Sequence, residues 1–130
     1  MKILVINGHP DKESYCQAIF QTIVETIDSS RHELKVISLN EEDFDPVLRY
    51  GYRKRMEEDS FILRSQEWIQ WADHLIFVYP IWWSSMPSLM KGWIDRVFTP
   101  GIAYSANDQG SFIWNYLRGK QFKKLLKGKT

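Results

Sequence analysis

Residues 74–104 read HLIFVYPIWWSSMPSLMKGWIDRVFTPGIAY, and this stretch decides the fold class. It begins with a continuous apolar run, Leu75-Ile76-Phe77-Val78-Tyr79, that shows no period-two alternation. A strand buried on both faces, in a parallel sheet covered by helices on each side, reads this way. Pro80 ends the run, because it has no N–H to donate and biases Tyr79 toward extended geometry. After the aromatic loop Ile81-Trp82-Trp83-Ser84-Ser85 a helix is predicted. Pro87 suits its first turn, the preceding serines are able to cap it, and Leu89, Met90, Trp93, Ile94 and Val97 recur at helical spacing. Adjacent tryptophans between a strand and a helix are costly to leave in water, since each buries on the order of 150–250 Å² when covered. A flat partner is implied. In open parallel sheets ligands sit beyond the carboxyl ends of the strands, the edge this loop occupies.

Working outward, residues 2–7 (KILVIN) form a second uninterrupted apolar strand. Gly8 to Glu13 is turn chemistry, and Ser14 with Gln17 spells an S-x-x-Q capping box that opens a helix. Cys16, Ile19, Phe20, Ile23 and Ile27 make its apolar stripe. Glu33 to Leu39 is the next strand, residues 40–52 an acidic surface loop broken by Pro46 and Gly51, and about Arg53 to Ala72 a helix with Met56, Phe61, Ile62, Trp68, Ile69 and Ala72 inward. Alternating strands and helices predict a parallel α/β sheet with helices on both faces. The expected strand order is 2-1-3, which brings the turns after strands one and three together at a switch point. Beyond Tyr104 the pattern fades: residues 105–111 are loop-like, 112–117 apolar, and 121–126 suit a short helix. No linker or repeat divides the chain, so residues 1–130 are expected to form one domain.

Composition narrows the function classes. A chain of 130 residues that is 44% hydrophobic and 25% charged is an ordinary globular protein, but 15% aromatic residues with six tryptophans is an excess. With neither a long apolar segment nor a signal-peptide pattern, no membrane span and a cytoplasmic location are expected. The single cysteine, Cys16, reads as a small buried hydrophobe of a helix. Net charge is +1, yet Arg118, Lys120, Lys123, Lys124, Lys127 and Lys129 leave eleven basic against sixteen acidic residues before them, a body of −5 with a basic tail. No nucleic-acid-binding motif accompanies that tail, so a solvated face is the simpler reading. His9, His32 and His74 lie apart with no ligand spacing, so no metal is expected. Asp95 and Arg96 read as a solvated or interface face.

Two loops carry chemistry. The first has neither G-x-G-x-x-G nor a P-loop, but a helix N-terminus, the Ser14 hydroxyl and the His9 ring N–H are the parts of a phosphate site. The same residues also make an ordinary cap beside a solvated histidine, and both readings stand. Trp82-Trp83 suits a planar ring system, although taken alone core packing or a protein interface is the simpler reading. Together the loops describe a cofactor with a phosphate at one end and a flat ring at the other, as in FMN or FAD.

At these residues the chain resembles the NAD(P)H quinone oxidoreductases of flavodoxin-like fold, which include the DT-diaphorase type, modulator-of-drug-activity proteins and potassium-efflux ancillary oxidoreductases. The resemblance rests on P-x-W-W-x-x-M-P-x-x-x-K-G-W-I-D-R-V-F-T-P-G-x-A-Y at Pro80 to Tyr104 and on ILVINGHPDKES near the N-terminus. It implies flavin-dependent two-electron reduction of quinones or similar acceptors by NAD(P)H, with hydride passing through flavin N5, in a homodimer. By motif, His9, Ser14, Tyr15 and Ala18 match positions on the phosphate and ribityl side. Pro80, Ile81, Trp82 and Trp83 match the loop along the isoalloxazine, and Tyr104 matches an aromatic at the acceptor pocket. In the family a run like Leu126 to Lys129 precedes a fourth strand, a threonine/glycine-rich loop and a fifth strand. The expected fold is therefore flavodoxin-like without the last two strands, and no catalytic residue is assigned. The alternative is a non-catalytic flavodoxin-like module that has lost flavin binding through truncation.

Overall fold

The structure, a computed structural model, describes residues 1–100 and residue 102. Tyr104, the apolar stretch 112–117, the helix expected over 121–126 and the basic tail lie outside the described residues. The chain runs β1 (Lys2–Asn7), α1 (Tyr15–Thr26), β2 (Glu33–Ser38), a 3-10 turn (Leu39–Glu41), α2 (Ser60–Trp71), β3 (His74–Val78) and α3 (Ser88–Val97). The strands form a parallel sheet in the order β2-β1-β3, as the alternating pattern predicts. Register places Asn7 between Ser38 and Val78, so the carboxyl ends of all three strands share one edge.

Side chains of β1 alternate between two apolar layers, because successive residues of a strand face opposite sides of the sheet. Leu4 and Ile6 pack with Phe61, Ile62 and Ile69 of α2 and Met90, Trp93 and Val97 of α3. Ile3 and Val5 pack with Val78 and, from α1, with Phe20, Cys16, Ile23 and Val24. Helices thus cover both faces. Leu4, Val5 and Ile6 are fully buried, and each such side chain contributes about 1.5–3 kcal/mol. Trp93 is equally buried, and its indole N–H donates to Ser65 Oγ at 3.0 Å, which satisfies two polar groups that the core would otherwise leave unpaired. At Gly92 a Cβ would overlap the carbonyl oxygen of Pro46, so α3 and the 42–48 segment approach to a distance only glycine permits.

Several expectations need correction. The second helix begins at Ser60, not near Arg53, because the Asp59 carboxylate accepts from the N–H groups of Phe61 and Ile62 and sets the N-cap there. Met56 therefore precedes the helix. Leu75 and Ile76 of β3 are half-buried and Phe77 is exposed, since β3 is an edge of the described sheet and its apolar run is not enclosed there on both faces. Ile19 faces solvent, with Val24 taking its expected place against the sheet. The serines ahead of α3 do not cap it: Pro87 occupies the cap position without a side-chain hydrogen bond, and Ser85 is engaged in a hairpin. Arg96 is buried rather than solvated, donating to the backbone carbonyl of Asp45 at 2.8 Å, whereas Asp95 pairs with Lys91 on the helix surface. No helix among the described residues is long and apolar enough to cross a membrane.

Candidate functional site

The site is built at the carboxyl edge of the sheet from the turns that leave β1 and β3. Asn7 ends β1 fully buried, and its Oδ1 accepts from the His9 N–H at 3.1 Å. His9 Nδ1 in turn accepts from the Asp11 N–H at 2.9 Å, so the hydrogen-bond pattern assigns the ring proton to Nε2, free to donate. Asp11 Oδ1 accepts from the Glu13 N–H at 3.0 Å, an Asx turn that delivers the chain to α1. There Ser14 is the N-cap, its Oγ accepting from the Gln17 N–H at 3.1 Å. Only this half of the expected capping box forms. Gln17 does not reach back to Ser14; its Oε1 accepts instead from Asn7 Nδ2 at 2.8 Å and Asn40 Nδ2 at 3.1 Å. Tyr15 and Ala18, in the first helical turns, are exposed, Tyr15 by 81%.

The turn after β3 is a two-residue hairpin. Trp82 N–H donates to the Ser85 carbonyl at 2.8 Å and Ser85 N–H to the Trp82 carbonyl at 3.1 Å, closing Trp83 and Ser84 between them. Both central residues are left-handed, with φ of 53° and 61°, the geometry of a type I′ turn. Asparagine and glycine ordinarily fill such positions; each other L-residue there costs roughly 1–2 kcal/mol. The strain holds the Trp83 indole entirely in solvent and leaves Trp82 45% exposed and Ile81 exposed, with Pro80 half-buried behind them. The tryptophan pair is therefore not core.

The two turns meet. The His9 and Trp82 rings lie 5.4 Å apart, centroid to centroid, at 78°, an edge-to-face contact. Gly8 N–H donates to the Val78 carbonyl at 2.8 Å, which ties the same two turns through the backbone. A helix N-terminus with a hydroxyl and an imidazole N–H, suited to a phosphate, thus adjoins a projecting indole suited to a planar ring. Of the expected site residues, His9 and Ser14 lie in the turn after β1, Tyr15 and Ala18 in the first turns of α1, and Pro80, Ile81, Trp82 and Trp83 in the turn after β3, while Tyr104 falls outside the described residues.

A separate concavity of about 470 Å³ opens elsewhere, lined by residues of the 48–59 segment, Ile62, Gln66, Arg96 and Thr99. It shares no lining residue with the two turns. The two turns, by contrast, set the N-terminus of α1 beside the exposed rings of Trp82 and Trp83. Among the described residues, no three of the His, Cys, Asp and Glu side chains group to hold a metal ion. Asn7, Ser38 and Asn40 were not singled out from the sequence, although a polar residue closing an apolar strand, beside a strand that ends in serine with an asparagine in the turn after it, is a readable signal once the order 2-1-3 is known.

The chain is similar to known proteins. The structure of Smu.1420 from Streptococcus mutans is 36% identical over 85% of this chain and 60% of that one, with a TM-score of 0.72. An NAD(P)H:quinone oxidoreductase from Methanothermobacter marburgensis is 28% identical over 81% of this chain and 57% of that one, with a TM-score of 0.68. A ribosyldihydronicotinamide dehydrogenase-like protein of Penicillium crustosum is 29% identical over 88% of this chain and 50% of its own length. The chain spans about half the length of the curated relatives it matches. A family model described as a flavodoxin-like fold matches residues 1–126, and the chain belongs to that family.

Proposed function

We propose that this chain is the flavin-binding part of an NAD(P)H-dependent oxidoreductase acting on quinones or similar acceptors. The observation that carries the reading is the adjacency of the His9 turn and the Trp82-Trp83 hairpin on one sheet edge. The residues present fit FMN or FAD: Ser14, His9 Nε2–H and the first-turn amides of α1 offer donors to a phosphate, with Tyr15 and Ala18 along the ribityl chain. Pro80, Ile81, Trp82 and Trp83 offer apolar surface and backbone N–H groups to the isoalloxazine. When bound, the flavin supplies a two-electron relay between nicotinamide and acceptor. The chain's own part is to place the ring and to shield one of its faces from water with the exposed indoles. Relatives named for NAD(P)H and quinones support the choice of donor and acceptor. Tyr104 is assigned to the acceptor side, and the working unit is a homodimer.

Purified protein tests the reading. An absorbance spectrum carrying flavin bands, as isolated or after adding FMN or FAD, that bleaches with NADPH and recovers with a quinone is the expected result. A colourless protein that stays colourless with either flavin contradicts it.

A further inference from the structure

Three carboxamides from three different elements converge on the His9 turn. Asn7 closes β1, Gln17 lies in the first turns of α1, and Asn40 sits in the 3-10 turn after β2. Gln17 Oε1 accepts from both asparagine amides, at 2.8 Å from Asn7 Nδ2 and 3.1 Å from Asn40 Nδ2, which occupies both of its lone pairs and fixes which way the amide faces. Ser38 joins from β2, its Oγ 3.3 Å from Asn7 Nδ2 and 3.1 Å from Asn40 Oδ1. Two of these residues grip His9 at both of its main-chain polar groups: the His9 N–H donates to Asn7 Oδ1 at 3.1 Å, and its carbonyl accepts from Asn40 Nδ2 at 3.2 Å. A fully buried carboxamide beside Val5 and Ile6 is an expensive choice where an aliphatic residue would simply add to the core.

We infer that Asn7, Gln17 and Asn40 are positioning residues that set the His9 turn and, through it, the imidazole that meets Trp82. This deepens the ligand-binding reading of that turn and rests on it. With both main-chain groups of His9 held, its Nδ1 falls on the Asp11 N–H, so one tautomer is selected and Nε2 keeps its proton as a donor. The network thereby connects the ends of β1 and β2 to the aromatic hairpin after β3. None of its members needs to touch the ligand.

The test follows the His9 imidazole nitrogens and the Asp11 amide by NMR in the full chain, with no flavin added. The wild type shows one tautomer, unprotonated at Nδ1, and a protected Asp11 amide. Asn40→Ala and Gln17→Leu, both at half-buried positions outside the apolar layers, mix the tautomers and speed Asp11 exchange by about tenfold. Gln17→Glu restores the wild-type pattern, because a carboxylate still accepts from both asparagine amides. Two variants guard against one failing to fold. Retention of the single tautomer and of slow Asp11 exchange in both Asn40→Ala and Gln17→Leu overturns the inference. A parallel FMN titration keeps the two questions apart: weakening by about tenfold in Asn40→Ala supports the positioning role. A wild type that ignores FMN speaks against the ligand reading, while the NMR result still decides the role of the network.

Discussion

The imidazole of His9 meets the indole of Trp82 edge to face, 5.4 Å between centroids and 78° between planes, and so joins the turn after β1 to the hairpin after β3. Such a pair is worth about 0.5–1.5 kcal/mol beyond the area it buries. In urea unfolding of His9→Ala, Trp82→Ala and the double variant, a coupling energy of about that size is expected. Strict additivity would show that the rings are neighbours without interacting.

Ser14 has two tasks that different measurements separate. As N-cap of α1 its hydroxyl accepts from the Gln17 N–H, and Ser14→Ala is expected to cost about 1 kcal/mol in unfolding free energy. As a proposed phosphate donor it should also weaken FMN binding, whereas Ser14→Asp should retain the cap but repel the phosphate. Equal FMN affinity for the serine and aspartate forms would remove Ser14 from the site.

The hairpin is predicted to trade stability for an exposed ring. Trp83 and Ser84 both adopt φ above +50°, and Asn-Gly is the pair that type I′ geometry prefers. Replacing them by Trp83→Asn with Ser84→Gly should raise the unfolding free energy by about 1–2 kcal/mol. The same change should weaken FMN binding, since the projecting indole is gone. Ser84→Gly alone should stabilise while leaving the affinity in place. If the double variant binds FMN as tightly as the wild type, the strain has no bearing on the ligand.

Acid pH should act on the 45–49 turn. The Asp45 carboxyl is held below its ordinary value of 3.8, first by its hydrogen bond with Arg49 and then by that from the Val47 N–H. A carboxyl with a lowered folded-state pKa contributes stability that is present above the ordinary value and is lost as pH falls through the folded-state value. The stability difference between wild type and Asp45→Asn should therefore be steady near neutrality and shrink below about pH 4. A difference that grows on acidification would mean that the carboxylate is not favoured in the folded state.

How much of this was legible in the sequence depended on where local signals and tertiary context agreed. KILVIN became the central strand because an unbroken apolar run suits the middle of a parallel sheet, HLIFV formed a strand at the edge of the described sheet, and the order 2-1-3 followed from the βα alternation. The start of α2 was misplaced because residues 53–58 are compatible with helix, and only the Asp59 side chain folding onto Phe61 and Ile62 decides otherwise. The S-x-x-Q pattern marked the correct cap yet misassigned Gln17, whose partners Asn7 and Asn40 are distant in sequence. Arg96 shows the same limit: its acceptor is the backbone of Asp45, which no side-chain pattern announces. That the turns after β1 and β3 lie side by side was legible because both leave strand ends that the order 2-1-3 makes neighbours. The left-handed backbone at Trp83 and Ser84 was not, since neither residue type signals it.

The two neighbouring turns are proposed to bind one ligand through its phosphate end and its ring end together. Titration of the chain with FMN, followed by flavin fluorescence, tests it most directly when run on wild type, Ser14→Asp and Trp83→Ala. Saturable one-to-one binding by the wild type, weakened about tenfold or more by each substitution, is the predicted result. No saturable binding, or binding indifferent to both substitutions, would contradict it.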